Sequence, residues 1–511
     1  MVEHGDGVGG QGGEDVGVDD GLGRMATAIS TDGQADQRRW SRSIDGDAVE
    51  LHRTTLRRQT SGHKVQVNAQ VPGDRRRLPC MCRCDLDVAA HPFTNTCVDG
   101  VEHVCCLAMA SVVKTGLDLL VAERFSSLQG QRVALLGHPA SVDHQLVHLL
   151  DRCLEHGVRP VRLFGPEHGL LGDAQDMAHV EGSRDRRTGI DVVSLYGPTR
   201  ESLFLKRADL DDVDVLVCDL QDVGSRYYTF AYTIAFALRA AAGTNTRVVV
   251  LDRPNPIDGV HVEGNVVDPR YASFVGEYPL ANRHGMTLGE LCRFFVAHDH
   301  LDVDLDVRWM HGWHRTMRMA DTGVPWVLPS PNMPTPDTAL VYPGGCLFEG
   351  TTMSEGRGTT RPFELIGMPG IVDAHAFVER SLALAGARGL PGVTLRPTYF
   401  RPTFQKHAGV LCGGAQLHVT DVDTYDSLHT ATAMLAAART FDGFDWRRTT
   451  YEYVSDRLAI DLLYGDVVTR NHLEAGADAT AATAHHDGQR RAFLDVRRGF
   501  LHADYGVGSE A

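Results

Sequence analysis

The chain contains no run of about 18 apolar residues, the length a helix needs to cross a bilayer, so a spanning helix is excluded. Positive charge is also in short supply. Against 66 Asp and Glu there are 50 Lys and Arg, a formal net charge of −16. A surface of that sign argues against nucleic acid as a partner, since binding it needs a basic patch. Residues 1–30 are acidic and glycine-rich and lack the apolar core of a secretory signal, so the expected location is the cytoplasm.

Several catalytic signatures are missing too. There is no G-x-G-x-x-G, no P-loop, no G-x-S-x-G elbow and no H-E-x-x-H helix. Cysteine is present, 11 in all, but unevenly placed. Cys80, Cys82 and Cys84 lie too close together for the paired spacing of a zinc knuckle. Cys153, Cys218, Cys292, Cys346 and Cys412 are scattered singly in apolar or glycine-rich surroundings and read as buried, reduced side chains. Neither a metal nor another cofactor is expected.

What is present falls into four parts. Residues 1–110 show no sustained helix or strand period and read as a disordered extension or as an over-extended reading frame upstream of Met109. Residues 111–330 alternate short apolar runs with amphipathic stretches. Strands are predicted at 132–136, 161–164, 192–196, 213–220 and 248–251, with a closing strand at 305–309. Helices are predicted at 115–124, 143–156, 228–242 and 288–296, the last with Thr287 as N-cap and Glu290 completing a capping box. This rhythm predicts an α/β fold, a Rossmann-like parallel sheet with helices on both faces. Residues 331–470 read as a smaller α/β second domain, with a polar glycine-rich loop over 338–370, and a cleft is expected between the two. Residues 471–511 are weakly patterned.

In an open parallel sheet, ligands bind beyond the carboxyl ends of the strands. Three predicted strands end in polar clusters: Glu167 and His168; Asp219, Gln221, Asp222 and Arg226; Asp252, Arg253 and Asn255. The first sits in Phe164-Gly165-Pro166-Glu167-His168-Gly169, where glycine and proline narrow the directions open to Glu167. That suits a general acid or a nucleophile. A fourth concentration, 342–364, interleaves glycines with Glu349, Glu355, Arg357 and Arg361, and the two arginines are placed to grip a carboxylate. Carboxylates and arginines without a nucleotide or Ser/Cys-nucleophile motif point to acid–base chemistry of the glycosidase kind, or to a two-lobed solute-binding protein.

The motifs F-G-P-E-H-G at Phe164, D-L-Q-D-V-G-S-R-Y-Y-T-F at Asp219, L-D-R-P-N-P at Leu251, V-E-G-N at Val262, R-H-G-M-T-L-G-E-L at Arg283, S-P-N-M-P at Ser330 and Y-P-G-G-C-L-F-E-G-T-T-M-S-E-G-R-G-T at Tyr342 occur in this order. Together they resemble the exo-β-N-acetylmuramidase family typified by NamZ, over about 113–465. The resemblance implies release of non-reducing terminal β-1,4-linked N-acetylmuramic acid from peptidoglycan fragments, with Glu167 in the active site. For its carboxylate partner Glu263 ranks first, then Glu355 and Asp222. The motif residues His284 and Asn332 join the substrate-binding set. The alternatives are a carbohydrate-binding module without turnover and another amino-sugar hydrolase on the same scaffold.

Overall fold

The computed structural model describes residues 112–175 and 177–506. The readings made for residues 1–110, including the early cysteines, therefore lie outside the described residues. In chain order the strands are β1 Val133–Gly137, β2 Arg162–Gly165, β3 Ser183–Arg184, β4 Asp191–Ser194, β5 Val215–Asp219, β6 Arg247–Leu251, β7 Glu263–Val266, β8 Ala281–Arg283, β9 Leu305–Arg308, β10 Leu365–Met368, β11 Val393–Phe400 and β12 Cys412–Val419. The helices are α1 Gly116–Ala122, α2 Leu149–Glu155, α3 Phe230–Ala241, α4 Leu288–His298, α5 Met319–Thr322, α6 Pro336–Gly345, α7 Ala374–Ala383, α8 Ser427–Ala438, α9 Ala459–Tyr464, α10 Val468–Glu474, α11 Ala479–Ala482 and α12 His486–Arg498.

Seven strands form one sheet in the order β3-β4-β2-β1-β5-β6-β9, parallel except for the short edge strand β3. Leaving β3 aside, the six parallel strands follow the doubly wound 3-2-1-4-5-6 order of a Rossmann-like fold. The central strands β1 and β5 are buried along their whole length, which is why they read as largely apolar, β5 up to its closing Asp219. Successive side chains face opposite sides. Ala134 and Leu136 of β1 therefore enter one core, while Val133 and Leu135 enter a second under α1 and α2.

The first of these cores runs on without a break into a smaller second domain. There β10, β12 and β11 make an antiparallel sheet in that order. α7 packs on it, and α8 packs against α7 and α6. A two-stranded pair, β7 with β8, sits apart from both sheets. Among the described residues no helix is long and apolar enough to cross a membrane.

Three local readings differ from the structure. The predicted helix over 143–156 is only α2, because the Asp143 side chain accepts from the backbone N–H of Gln145 and Val147 and folds 143–148 into a turn. Most of the predicted glycine-rich loop is compact. Residues 336–345 form α6 and a 3₁₀ turn, Cys346–Gly350, follows directly. Its glycines serve close packing: a Cβ on Gly344 would lie 2.0 Å from the Ser427 carbonyl oxygen. The region beyond 471 also packs firmly. Tyr505 is buried, its hydroxyl 2.7 Å from Asp252 Oδ2, and Arg497 is bound to the Gly285 carbonyl at 3.0 Å. By contrast the capping box of α4 forms as expected, Thr287 Oγ1 accepting from Glu290 N and Glu290 Oε2 from Thr287 N. The cysteines at 153, 218, 292, 346 and 412 are free and buried.

Candidate active site

The crevice of a doubly wound sheet opens where strand order reverses, here between β1 and β5. In this chain side chains fill it. His138, just after β1, is wholly buried and accepts the Gln221 backbone N–H at Nε2, 2.9 Å away, while Nδ1 donates to the Pro329 carbonyl at 3.2 Å. Burial depresses its pKa to about 3, so the imidazole is neutral. Beside it Arg253 clamps Asp219 with two hydrogen bonds, the Nη2 contact being 2.7 Å. Two of the polar clusters thus join as a buried ion pair behind the site.

The open space lies one strand over, beyond β2. Gly169 N donates to the Pro166 carbonyl at 2.9 Å, closing a tight turn that presents Glu167. His168 adopts a left-handed backbone, φ 69°, held by a hydrogen bond from its Nδ1 to the Ala174 carbonyl at 2.8 Å. Burial lowers the pKa of this imidazole also, against the pull of Glu167. Glu167 is buried and receives the Thr229 hydroxyl at 2.6 Å on Oε2. Thr229 is the N-cap of α3, and its side chain makes no capping hydrogen bond. The hydroxyl that would have capped the helix holds the carboxyl instead.

Glu167 and His168 line a polar hollow with Tyr228, Thr229 and Phe230 from the start of α3, Asn332 and Met333, and Tyr342, Glu349, Arg357 and Phe363 from the second domain. Tyr451 and Glu452 complete the wall. Glu349 is fully engaged: Arg357 Nη2 donates to Oε1 at 2.6 Å and the Tyr451 hydroxyl to Oε2 at 2.7 Å. Burial works to raise its pKa, but Arg357 and the two hydrogen bonds outweigh that and hold the carboxyl below its ordinary value. Arg357 also lies over the Phe363 ring, 5.1 Å from its centroid.

Of the residues singled out from sequence, then, Glu167, His168, Asn332, Glu349 and Arg357 share one hollow. The others sit elsewhere. Glu263 pairs with Arg283 at 2.6 Å and accepts from the first backbone N–H groups of α8, those of Ser427 and Leu428. Glu355 is held by Lys406 at 2.9 Å and lies 3.4 Å from Arg357 Nε. Asp222 accepts from Gly224 N at 2.7 Å and lies 3.5 Å from His284 Nε2. Gln221 and Arg226 bind backbone carbonyls, those of Asp222 and Pro254 and those of Asn265, Leu280 and Leu463 respectively. Asn255 bridges Met286 O and Ile257 N. Asp252 accepts from Gly289 N and Tyr505, and Arg361 pairs with Glu364 near the surface. Sequence reasoning did not single out Thr229, Tyr451 or Glu452. Thr229 was within reach, because it stands at the predicted start of α3 in a motif already quoted.

Carboxyls from three separate segments meet in one aromatic-walled hollow of a two-domain α/β protein, one of them neutralised by an arginine, a make-up that glycosidase sites share. Family comparisons give the particular kind. A family model described as Exo-beta-N-acetylmuramidase NamZ, N-terminal, matches residues 133–337, and its C-terminal counterpart matches 340–502. The chain belongs to this family. The match extends past residue 465, where the motif likeness was expected to stop. The peptidoglycan beta-N-acetylmuramidase NamZ of Bacillus subtilis is 41% identical over 390 residues, covering 76% of this chain and 91% of the relative. Two crystal structures of DUF1343 family proteins from Bacteroides fragilis superpose with TM-scores of 0.66 and 0.60 at 30% and 26% identity. They cover 78% and 76% of this chain and 99% of each of theirs.

Proposed function

We propose that the chain hydrolyses the bond joining a non-reducing terminal β-1,4-linked N-acetylmuramic acid to the rest of a peptidoglycan fragment, with Glu167 as the general acid. The observation that carries this reading is Glu167 itself. It is buried, fixed by Thr229 and presented to a hollow walled by carboxylates, an arginine and aromatic rings. As the bond from C1 to the glycosidic oxygen breaks, its electron pair goes to oxygen and the Glu167 proton follows. Arg357 is on the wall as well, with its charge offset there by Glu349. Tyr228, Phe230, Tyr342 and Phe363 supply apolar faces for the sugar ring.

The test is turnover of a β-linked disaccharide with N-acetylmuramic acid at its non-reducing end. Free N-acetylmuramic acid should appear with the wild-type chain and fall by at least about 100-fold with Glu167→Gln, the low end for a lost acid–base group. Binding of the disaccharide without release would point to a carbohydrate-binding module. Full activity in Glu167→Gln would remove it as the acid.

A further inference from the structure

Glu349 is occupied by Arg357 and Tyr451, and Glu263 and Glu355 lie off the wall, so the carboxylate that serves the attacking side of the reaction has to be sought elsewhere in the hollow. Glu452 is on that wall and buried, 5% exposed. Its backbone is unusual. Glu452 and Tyr453 are consecutive non-glycine residues in the left-handed region, at φ 44° and 66°. L-residues seldom adopt this conformation, and where they do the surroundings must hold it.

The surroundings here do so from both sides. Tyr451 and Val454 exchange two backbone hydrogen bonds of 2.9 Å, closing the turn. The Tyr451 hydroxyl is bound to Glu349 and the Tyr453 hydroxyl to the Gly197 carbonyl at 2.9 Å. The Tyr196 hydroxyl donates to Glu452 Oε2 at 3.1 Å. Two tyrosines therefore anchor the turn on either side of a carboxylate that a third tyrosine orients. The Glu167 loop is built alike, with a left-handed non-glycine residue, His168, beside its carboxylate. Strain of this kind collects at sites where a side chain has to be held against its own preference.

We infer that Glu452 is the second catalytic carboxylate, acting as the base for the attacking water; the inference rests on the hydrolase reading above. A water oxygen bonds to C1 while the C1–O bond breaks and its electron pair leaves with the glycosidic oxygen. Glu167 gives its proton to that oxygen and Glu452 takes one from the water. Both carboxyls then return to their starting states by exchange with solvent.

The experiment uses the full chain and a nitrophenyl β-N-acetylmuramide. Glu452→Gln keeps the shape of the side chain, and Glu452→Gly keeps the left-handed backbone without strain, so loss of fold is separable from loss of the carboxylate. Both should lower kcat by about 100-fold to 10,000-fold, the range for a lost acid–base group, with KM little changed. Azide needs no base. It should restore activity to Glu452→Gly by at least tenfold and yield the α-glycosyl azide, which Glu167→Gln should not form. Turnover within threefold of wild type in both variants would overturn the inference, as would a loss in folded Glu452→Gly that azide leaves untouched. If the wild-type chain releases no nitrophenol or N-acetylmuramic acid, the hydrolase reading itself has failed, and the two failures are thereby distinguished.

Discussion

Thr229 donates its hydroxyl to Glu167 at 2.6 Å although it occupies the N-cap position of α3. An N-cap side chain normally accepts from the helix's own N–H groups, and its removal costs about 1 kcal/mol. Here that interaction is absent, so the residue serves the carboxyl of a neighbouring loop. Thr229→Val, nearly the same volume, should leave stability within about 0.5–1.5 kcal/mol, the net worth of one hydrogen bond. It should lower kcat by about 10-fold to 100-fold by loosening Glu167. Thr229→Ser should recover most of the loss. Denaturant midpoints and steady-state kinetics on the three proteins check this.

The demand on Glu167 depends on the leaving group. A sugar hydroxyl is a poor leaving group and needs a proton, whereas a nitrophenolate leaves largely unaided. Glu167→Gln should therefore impair disaccharide cleavage far more than nitrophenyl glycoside cleavage, with a ratio of about 100 or greater. Equal losses on the two substrates would assign Glu167 a role other than proton donor.

How far the chemistry was legible from sequence follows from what each polar group is paired with. The strands β1, β5 and β6 are mostly apolar because both their faces are buried, so the parallel sheet could be read directly. Glu167 was legible because glycine and proline mark its turn. Asp219 and Arg253 looked much the same at a strand end, yet they satisfy each other. Sequence shows that a strand ends in charge, but not whether the partner is a ligand or another residue 34 positions away. Glu452 carried no mark at all. Its turn is made without glycine or proline, and the alternation Tyr451-Glu452-Tyr453 resembles a strand. What bends it is a set of tyrosine hydrogen bonds to Glu349 and Gly197, residues about 100 and 256 positions distant.

Glu263 marks the boundary between carboxylates that hold the fold and those that face the hollow. It compensates buried Arg283 and the N-terminus of α8, and the wall beside Glu167 does not include it. Removing one partner of a buried pair leaves an uncompensated charge and costs about 3–5 kcal/mol. Glu263→Ala should show a loss near the lower figure, since Asp258 still contacts Arg283 at 3.0 Å. Turnover per folded molecule should stay within about threefold of wild type, as for a residue without contact to the reacting atoms. Urea unfolding and active-site titration separate the two quantities.

Asp252 gives the fold a pH dependence of unusual sign. Burial raises its pKa from 3.8 to about 7, against the hydrogen bonds it accepts. Between those two values the folded chain binds the proton and the unfolded chain does not, so this group makes stability fall as pH rises from about 4 to 7. His138 works the other way. Its folded pKa of about 3 lies below the unfolded value of 6.5, so its contribution is present above pH 6.5 and lost as pH falls toward 3. The two opposing slopes overlap in wild type, and a difference measurement isolates one of them. Asp252→Asn mimics the protonated acid at every pH. Relative to wild type it should be close to neutral near pH 4 and should gain stability progressively up to pH 7–8, by a few kcal/mol at about 1.4 kcal/mol per pKa unit. Urea midpoints at four or five pH values would show the difference curve. A flat difference would mean that Asp252 stays ionised in the fold, balanced by Gly289 N–H and the Tyr505 hydroxyl.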